Sequence, residues 1–194
     1  MRKLVMILLG LVLCMSVVGC GDESTTEAVL KIDRSGQVTG VLVEEFEQDY
    51  YDLGELEDMM RLEISTYNQE NAEERIVLVS IEVIEGLAKA VIQYKDYEDY
   101  AQFSGTEFFI GTVEEAIAEG INLNHVMLEA GKDSTISPQQ VRELTDYKLV
   151  MWQGDMPVEV PGKIVYHTGE LTLLGSKKII AEPDLPGPFY LIYK

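Results

Sequence analysis

The spacing of apolar and polar residues changes along the chain, and each change predicts a different element of secondary structure. In AVLKIDRSGQVTGVLVEEF, residues 28–46, two extended apolar runs flank Ser35-Gly36, which predicts a β-hairpin. In DLGELEDMMRLEISTYNQEN, residues 52–71, the apolar residues recur at helical spacing instead. They predict an amphipathic helix with one apolar face, made of Leu53, Leu56, Met60, Ile64 and Tyr67.

Polar residues predict the start and the exposed surface of this helix. Asp52 lies just before it and Glu55 follows three positions later, a spacing typical of a capping box. In such a box a side chain accepts hydrogen bonds from the free amides of the first turn. Glu57 and Arg61 are four positions apart, so we expect an ion pair on the exposed face.

The same order of elements recurs in the next segment of the chain. RIVLVSIEVIEGLAKAVIQY, residues 75–94, predicts a second hairpin, around Glu85-Gly86. DYEDYAQF, residues 96–103, predicts a short helix with Asp96 as its N-cap. Together with the first hairpin and helix, these segments predict a weak ββα repeat.

The middle of the chain predicts one more strand, one more helix and a loop. EFFI, residues 107–110, is typical of a short buried strand. TVEEAIAEG, residues 112–120, predicts a helix that begins with a capping box of Thr112 and Glu115 and ends at Gly120. AGKDSTISPQQ, residues 130–140, is rich in turn-forming residues and predicts a loop.

The last fifty residues predict β-structure with tight connections. EPDLPGPF, residues 182–189, must be irregular because three prolines cannot lie in a central strand. We expect Trp152 to lie in the core. The predicted strands are YKLVMWQ, GKIVYHTG, ELTLL, KKIIAE and FYLIYK.

The pattern as a whole predicts an α+β fold. We expect antiparallel sheets built from hairpins, with two or three helices on one face and a β-meander at the C-terminus. Residues 29–194 are expected to form a single α+β domain. A second, all-β lobe that starts at about residue 145 is the alternative.

The N-terminus has the order of a secretory signal. Arg2 and Lys3 precede an apolar run, and small residues follow it, so residues 1–19 are predicted to be a signal peptide. The run of about 15 apolar residues would span only ~22 Å as a helix, which is too short to cross a bilayer.

A cysteine directly after the small residue narrows the class of signal. Val17-Val18-Gly19-Cys20 resembles the lipobox of bacterial lipoproteins. The resemblance implies cleavage between Gly19 and Cys20 and a diacylglycerol on the Cys20 sulfur, because stable retention needs more than one acyl chain. An ordinary cleaved signal followed by a chance cysteine is the alternative. Residues 20–28 are then the lipidated cysteine and a flexible polar tether.

Charge is the strongest feature of the composition. The full chain has a formal net charge of −19, with 34 acidic and 15 basic residues. Of these, residues 20–144 contain 28 acidic and 8 basic residues, so the excess lies in the first three quarters of the chain. An acidic surface repels nucleic acid and anionic headgroups, so we expect no nucleic-acid partner and membrane contact only through the lipid anchor.

A second resemblance covers most of the mature chain. FEQDYYDLGELEDMM, DYAQFSGTEFFIGTVEEA, VPGKIVYHTGELTLLG and the terminal YLIYK are similar to segments of uncharacterised lipoproteins from Gram-positive, clostridia-like gut bacteria. The resemblance implies a location on the outer face of a single membrane. It implies no activity and assigns no functional residues.

The residue types present do not predict a metal or cofactor site. There are two histidines, His125 and His167, and Cys20 is expected to carry lipid, so the usual four ligands of zinc are missing. An EF-hand loop starting at Asp49 would place Met60 where the closing glutamate belongs. We therefore expect no metal and no cofactor, although a looser calcium site in the acidic stretch stays open as an alternative.

Catalytic motifs are also missing from the sequence. There is no G-x-S-x-G, and no serine lies three positions before a lysine, so we assign no catalytic residue and expect a protein that is not an enzyme. Cleavage by a pair of carboxylates remains an alternative among so many acidic residues.

Tyrosines offer the candidate contact residues. Tyr94, Tyr97, Tyr100 and Phe103 recur every three positions, which favours a stripe facing the core. If exposed instead, such rings bind sugars or protein partners. The candidate contacts for a ligand or partner are Tyr50, Tyr51, Tyr97 and Tyr100.

These observations predict a binding or interaction module rather than an enzyme. We expect a lipid-anchored protein at the extracytoplasmic face of the cell membrane, with an envelope protein or polymer as partner. The alternatives are a carboxylate-dependent envelope hydrolase and a solute-capture lipoprotein.

Overall fold

The computed structural model describes residues 27–48, 50–182, 184–185 and 187–194. Gly19, Cys20, most of the predicted tether and Asp49 lie outside these residues. Within the described residues the chain forms four helices, α1 (Leu53–Glu70), α2 (Tyr97–Ser104), α3 (Val113–Ala118) and α4 (Pro138–Glu143). It forms thirteen strands, β1 (Val29–Ile32), β2 (Val38–Glu45), β3 (Ile76–Ile84), β4 (Leu87–Tyr94), β5 (Phe108–Thr112), β6 (Met127–Glu129), β7 (Thr135–Ile136), β8 (Lys148–Trp152), β9 (Val158–Glu159), β10 (Ile164–His167), β11 (Leu171–Leu173), β12 (Lys178–Ala181) and β13 (Phe189–Tyr193).

The strands form two sheets, which confirms the predicted α+β class. A seven-stranded sheet has the order β11-β12-β9-β1-β2-β4-β3, and a six-stranded sheet has the order β5-β8-β13-β10-β6-β7. Neighbouring strands are antiparallel except β1 and β9, which pair in parallel. Within the described part of the chain, none of the helices combines the length and the apolar character needed to cross a membrane.

The first half of the chain follows the predicted ββα order twice. β1 pairs with β2 and β3 pairs with β4, each pair antiparallel, so both predicted hairpins are confirmed. In the second hairpin Glu85 and Gly86 have φ angles of 52° and 81°, the left-handed values that a two-residue hairpin turn needs. β2 pairs with β4 as well, which joins the two hairpins into one sheet.

Helix α1 begins at the predicted N-cap, where the Asp52 half of the predicted capping box is present, and it buries two residues of its predicted apolar face. The Asp52 carboxylate accepts hydrogen bonds from the amides of Gly54 (2.7 Å) and Glu55 (3.1 Å). Ile64 and Tyr67 are buried against the seven-stranded sheet. The predicted ion pair of Glu57 and Arg61 is present, with 2.7 Å between Oε1 and Nη2.

Helix α3 has the predicted capping box of Thr112 and Glu115, and it ends at Gly120 with a φ of 77°. The prediction of a loop for residues 130–140 is wrong, because β7 and the start of α4 lie there. Ser137 and Gln140 form a second capping box, and Pro138 occupies the first turn of the helix. The spacing Ser-Pro-x-Gln was the sequence signal for this helix.

The five strands predicted after residue 145 all form, and they divide between the two sheets. β8, β10 and β13 join the six-stranded sheet, whereas β11 and β12 join the seven-stranded sheet. β9, which was not predicted, pairs with β1 and β12. β9 is thus hydrogen-bonded to β1 of the first half, and β8 and β10 are hydrogen-bonded to β5 and β6 of the middle of the chain. The division of the chain into domains stays a prediction.

The six-stranded sheet is buried on both faces. Phe108 and Leu191 point into the main core, which combines side chains from both sheets with α1 and α2. Their neighbours Phe109 and Tyr190 point into a second core, formed with α3 and α4. Adjacent residues of a strand point to opposite faces, so burial of both faces explains the unbroken apolar runs of β5, β8 and β13. Trp152 lies in the main core, as predicted.

Candidate functional site

Two of the four candidate tyrosines lie in the exposed loop between β2 and α1. Tyr50 is 76 % exposed, and its ring contacts that of Tyr51 with 4.8 Å between centroids. The Tyr51 ring also contacts Phe46, at 5.0 Å. A hydrogen bond with Tyr50 and the nearby charges of Tyr50 and Glu45 raise the pKa of Tyr51. These rings form a small exposed aromatic surface.

The other two candidate tyrosines lie on α2 and point in different directions. Tyr97 packs its ring against Phe109, with 5.4 Å between centroids. Tyr100 is 9 % exposed and packs edge-on against Tyr94 (5.2 Å) and Phe108 (4.8 Å). The burial of Tyr94 and Tyr100 confirms the core-facing interpretation for these two rings. The four candidate tyrosines therefore do not lie together at one site.

Tyr100 instead forms part of the wall of an apolar pocket of about 320 Å³. The pocket lies between α1 and α2, over the inner face of the seven-stranded sheet. Its wall consists mostly of apolar and aromatic side chains, with one carboxylate, one serine hydroxyl and two tyrosine hydroxyls. The lining residues are Leu42, Met60, Glu63, Ile64, Ile92, Tyr94, Tyr100, Phe103, Ser104 and Met156.

Five parts of the chain build this pocket: β2, α1, β4, α2 and the connection between β8 and β9. Leu42 on β2 shares the inner face of the sheet with Ile92 and Tyr94 on β4, because the register pairs Leu42 with Ala90. Met60 and Ile64 come from the apolar face of α1. Met156 comes from the connection between β8 and β9, more than fifty residues away from the helix α2 that it faces across the pocket.

The polar groups of the pocket are neutral phenols and hydroxyls apart from Glu63. Burial raises the pKa of both Tyr94 and Tyr100, so each keeps its proton at physiological pH. Ser104 donates a hydrogen bond of 2.7 Å to the carbonyl oxygen of Tyr100. Glu63 is exposed, so its carboxylate gives the pocket opening a negative charge.

A second, charged cleft of about 260 Å³ lies beside Tyr97. Three of its four carboxylates, those of Asp33, Asp96 and Glu115, already have partners within the fold. Asp33 accepts hydrogen bonds from the amides of Ser35 and Gln37, and Glu115 accepts one from the amide of Thr112. Asp96 binds the guanidinium group of Arg75 at 2.7 Å. These three carboxylates therefore stabilise turns and helix ends.

A carboxylate-dependent hydrolase needs an acid whose pKa is raised. Among the described residues, the carboxyl groups with a displaced pKa all have it lowered. The causes are hydrogen bonds and ion pairs, as with Glu129, which binds Lys132 and Ser134. These five groups are Glu27, Asp33, Glu73, Glu115 and Glu129.

The histidines have structural surroundings. His167 is buried at the end of β10, and its Nδ1 lies 2.8 Å from the carbonyl oxygen of Thr168. The His125 ring stacks on Tyr190, with 4.6 Å between centroids. Within the described ranges, no three His, Cys, Asp or Glu side chains are placed to hold a metal ion.

Comparison of the chain with protein-family models, with curated proteins and with solved structures gave no match in any of the three.

Proposed function

We propose that this protein is a lipid-anchored binding module of the bacterial cell envelope and that the apolar pocket between α1 and α2 is its ligand site. The pocket itself is the observation that carries the proposal. Its volume of about 320 Å³ is at the lower end of the range for small-molecule sites, and such sites are mainly apolar with a few polar groups.

The wall of the pocket indicates the class of ligand. Three aromatic rings, Tyr94, Tyr100 and Phe103, contribute to it, and aromatic faces attract cations. Met60 and Met156 have flexible side chains that adapt to different apolar shapes. Glu63 at the opening and the net charge of −19 disfavour anions. The ligand is therefore a small apolar molecule or group that is neutral or positively charged.

The anchoring part of the proposal rests on the N-terminal sequence. The order of a basic start, an apolar run and Val17-Val18-Gly19-Cys20 supports lipidation of Cys20. An acidic body repels anionic headgroups, so the domain stands away from the membrane surface on its tether. This arrangement leaves the pocket accessible to molecules of the envelope.

The pocket is tested with two small aromatic ions of opposite charge. Benzyltrimethylammonium and toluenesulfonate are titrated into the full chain in non-ionic detergent, with calorimetry and thermal unfolding as readouts. We expect the cation to bind and to raise the melting temperature, and the anion to bind at least ~10-fold more weakly, a difference of about 1.4 kcal/mol. Equal responses to both ions would contradict the assignment of ligand class.

A matched pair of variants locates the binding. Leu42→Trp replaces a leucine side chain of the pocket wall with a bulky indole ring. Leu174→Trp makes the same change at an exposed leucine that does not line the pocket. We expect Leu42→Trp to weaken binding of the cation by ~10-fold or more because it fills the space that the ligand needs. Leu174→Trp should leave the affinity unchanged, and an equal loss in both variants would remove the pocket as the site.

The anchor is tested by fractionating cells that express the full chain. We expect the protein in the membrane fraction, with lipid on its N-terminal cysteine by mass spectrometry. Cys20→Ala should abolish the lipid modification. A chain that stays unmodified at Cys20 in the cytosol would overturn this part of the proposal and leave the pocket assignment untouched.

A further inference from the structure

The strand at one edge of the seven-stranded sheet is long, apolar and paired on one side only. β3 has nine residues and hydrogen-bonds to β4 at the end of the strand order. Val77, Val79 and Val83 expose their side chains on it, and Val79 is 54 % exposed. Edge strands are normally protected against further pairing by charged side chains, prolines or bulges. Here the strand has a bulge between Leu78 and Ser80 and one exposed charged residue, Glu82, while its other exposed side chains are valines.

Asn68 of α1 shows that the outer edge of β3 accepts pairing. The carbonyl oxygen of Arg75 accepts a hydrogen bond from Lys95 (2.8 Å), so the backbone groups of the next residue, Ile76, point away from β4. The Asn68 side chain meets them there: Nδ2 donates to the carbonyl oxygen of Ile76 (2.8 Å), and Oδ1 accepts from its amide (3.0 Å). One side-chain amide thus makes the two hydrogen bonds of a neighbouring strand, and Leu78 is the next residue in the same orientation.

A groove of about 590 Å³ runs between α1 and this edge. One wall consists of α1 residues, including Ile64, Ser65 and Gln69, and the other consists of Ile76, Val77 and Leu78. A strand added to β3 would lie ~4.8 Å from it, and alternate side chains would point toward the helix. Binding sites formed by an edge strand and an adjacent helix suit an extended peptide, because backbone hydrogen bonds supply affinity and the groove selects side chains.

Charge decides between the occupants of the groove. Residues 53–84, which include α1, β3 and the loop between them, contain eight acidic and two basic residues, a net charge of −6. The charged residues that line the groove itself are Glu73, Glu74 and Arg61. Both arginines are already paired, Arg61 with Glu57 and Arg75 with Asp96 and Asp99. A second copy of this chain would bring two such acidic surfaces together, which is unfavourable. A basic segment would be attracted instead.

We propose that the groove between α1 and β3 binds an extended, basic segment of a partner protein, which pairs with β3 from Leu78 onward. The partner segment alternates apolar side chains, which enter the groove, with lysine or arginine side chains, which face the surrounding carboxylates. The groove shares one lining residue, Ile64, with the apolar pocket. A failure of the peptide test would leave the proposed ligand site unaffected.

The test uses a fluorescent heptapeptide of alternating valine and lysine, titrated into the full chain in non-ionic detergent. Two control peptides isolate the two sources of affinity: one replaces lysine with glutamate, and one carries N-methyl groups on alternate residues and so loses backbone donors. We expect each change to weaken binding by ~10-fold or more. Affinity of the lysine peptide should also fall with added salt. Equal binding of the lysine and glutamate peptides, or of the methylated and unmethylated peptides, would overturn the proposal.

Adjacent positions on α1 provide matched variants. Ser65 lines the groove and Thr66 does not, and both side chains are exposed. Ser65→Trp and Thr66→Trp therefore introduce the same side chain at neighbouring exposed positions of one helix turn. We expect Ser65→Trp to weaken peptide binding by ~10-fold and Thr66→Trp to change it by less than about twofold. Glu74→Lys should weaken binding at low salt, whereas Glu143→Lys on α4 should not. Self-association of the chain that Ser65→Trp abolishes would assign the groove to a second copy and overturn the proposal.

Discussion

The hydroxyl group of Tyr67 donates a hydrogen bond of 3.0 Å to Oδ1 of Asp99, a residue 32 positions further along the chain. The same oxygen lies 2.5 Å from Nε of Arg75. The two contacts tie the end of α1 and the start of β3 to the first turn of α2. Asp99 is almost completely buried, and its second oxygen, Oδ2, has no hydrogen-bond partner among the described residues. Charge compensation at Asp99 therefore depends on Arg75.

We expect Arg75→Ala to destabilise the fold several times more than Arg61→Ala does. Removal of Arg75 leaves the buried Asp99 carboxylate without its cation, whereas Arg61 belongs to an exposed pair that contributes little. Urea unfolding measures the difference, with fluorescence of the single, fully buried Trp152 as the probe. Similar unfolding midpoints for the two variants would show that Arg75 is dispensable.

From the raised pKa of the Tyr67 hydroxyl group we expect the fold to lose stability at high pH. Burial and the hydrogen bond to Asp99 raise the pKa of Tyr67 to about 12, above its ordinary value of about 10. A group with a raised pKa in the folded state contributes stability that is fully present below pH ~10 and is lost as the pH rises toward ~12.

The free energy of unfolding should therefore fall between these pH values, and the fall should be smaller in Tyr67→Phe. Urea unfolding at pH 9 and at pH 11.5 measures it. Tyr50→Phe is the control, because Tyr50 is exposed. If Tyr67→Phe and the unchanged protein lose the same amount, the hydroxyl group does not titrate as described.

At position 162 a side chain would clash with the backbone of Lys194. A Cβ atom on Gly162 would lie 2.0 Å from the backbone oxygen of Lys194, whereas one on Gly169 would meet nothing within 4 Å. The amide of Lys163 donates a hydrogen bond of 2.7 Å to that oxygen, so the backbone cannot move aside without loss of pairing.

We expect Gly162→Ala to destabilise the fold by about 1–3 kcal/mol, the usual range for overpacking, and Gly169→Ala to have little effect. Thermal or urea unfolding of the two variants checks this. Equal stabilities would indicate that the last residue yields freely to the added methyl group.

The capping box of α4 predicts a local contribution of Ser137. Its Oγ accepts a hydrogen bond of 3.3 Å from the amide of Gln140, and the Gln140 side chain accepts one of 2.9 Å from the amide of Ser137. Ser137→Ala should lower the free energy of unfolding by about 1 kcal/mol. Gln139→Ala, at an exposed position of the same helix, should change it much less. An unaltered stability of Ser137→Ala would mean that Pro138 and the packing of Val141 suffice to fix the helix.

Local sequence signals predicted most elements, and they failed where a signal was short or its outcome depended on distant residues. Both hairpins, α1, α2 and α3 follow from periodicity, turn glycines and capping residues that lie within one segment. The helix α4 is as short as α3, but its capping box lies inside a stretch rich in turn-forming residues, which hid it. β9 has two residues and exists because β1 and β12 flank it.

The candidate contact residues show the same limit. Spacing alone placed Tyr97 and Tyr100 on one stripe, yet the first packs against Phe109 and the second faces Tyr94 and the apolar pocket. The pocket brings together side chains that are as far apart in the sequence as Leu42 and Met156. The groove depends on the hydrogen bond of the Asn68 side chain to Ile76 at the edge of β3. No local pattern contains either relationship.

The sequence by itself determined where most strands and helices begin, which of their faces are apolar, and the strong negative charge of the chain, since these depend on neighbouring residues alone. Tertiary structure decided which sheet each C-terminal strand joins, which strands lie at the edges of the sheets, and where a cavity remains between packed elements. Those outcomes depend on contacts between residues far apart in the chain, because space is filled, or left open, only when whole elements pack together.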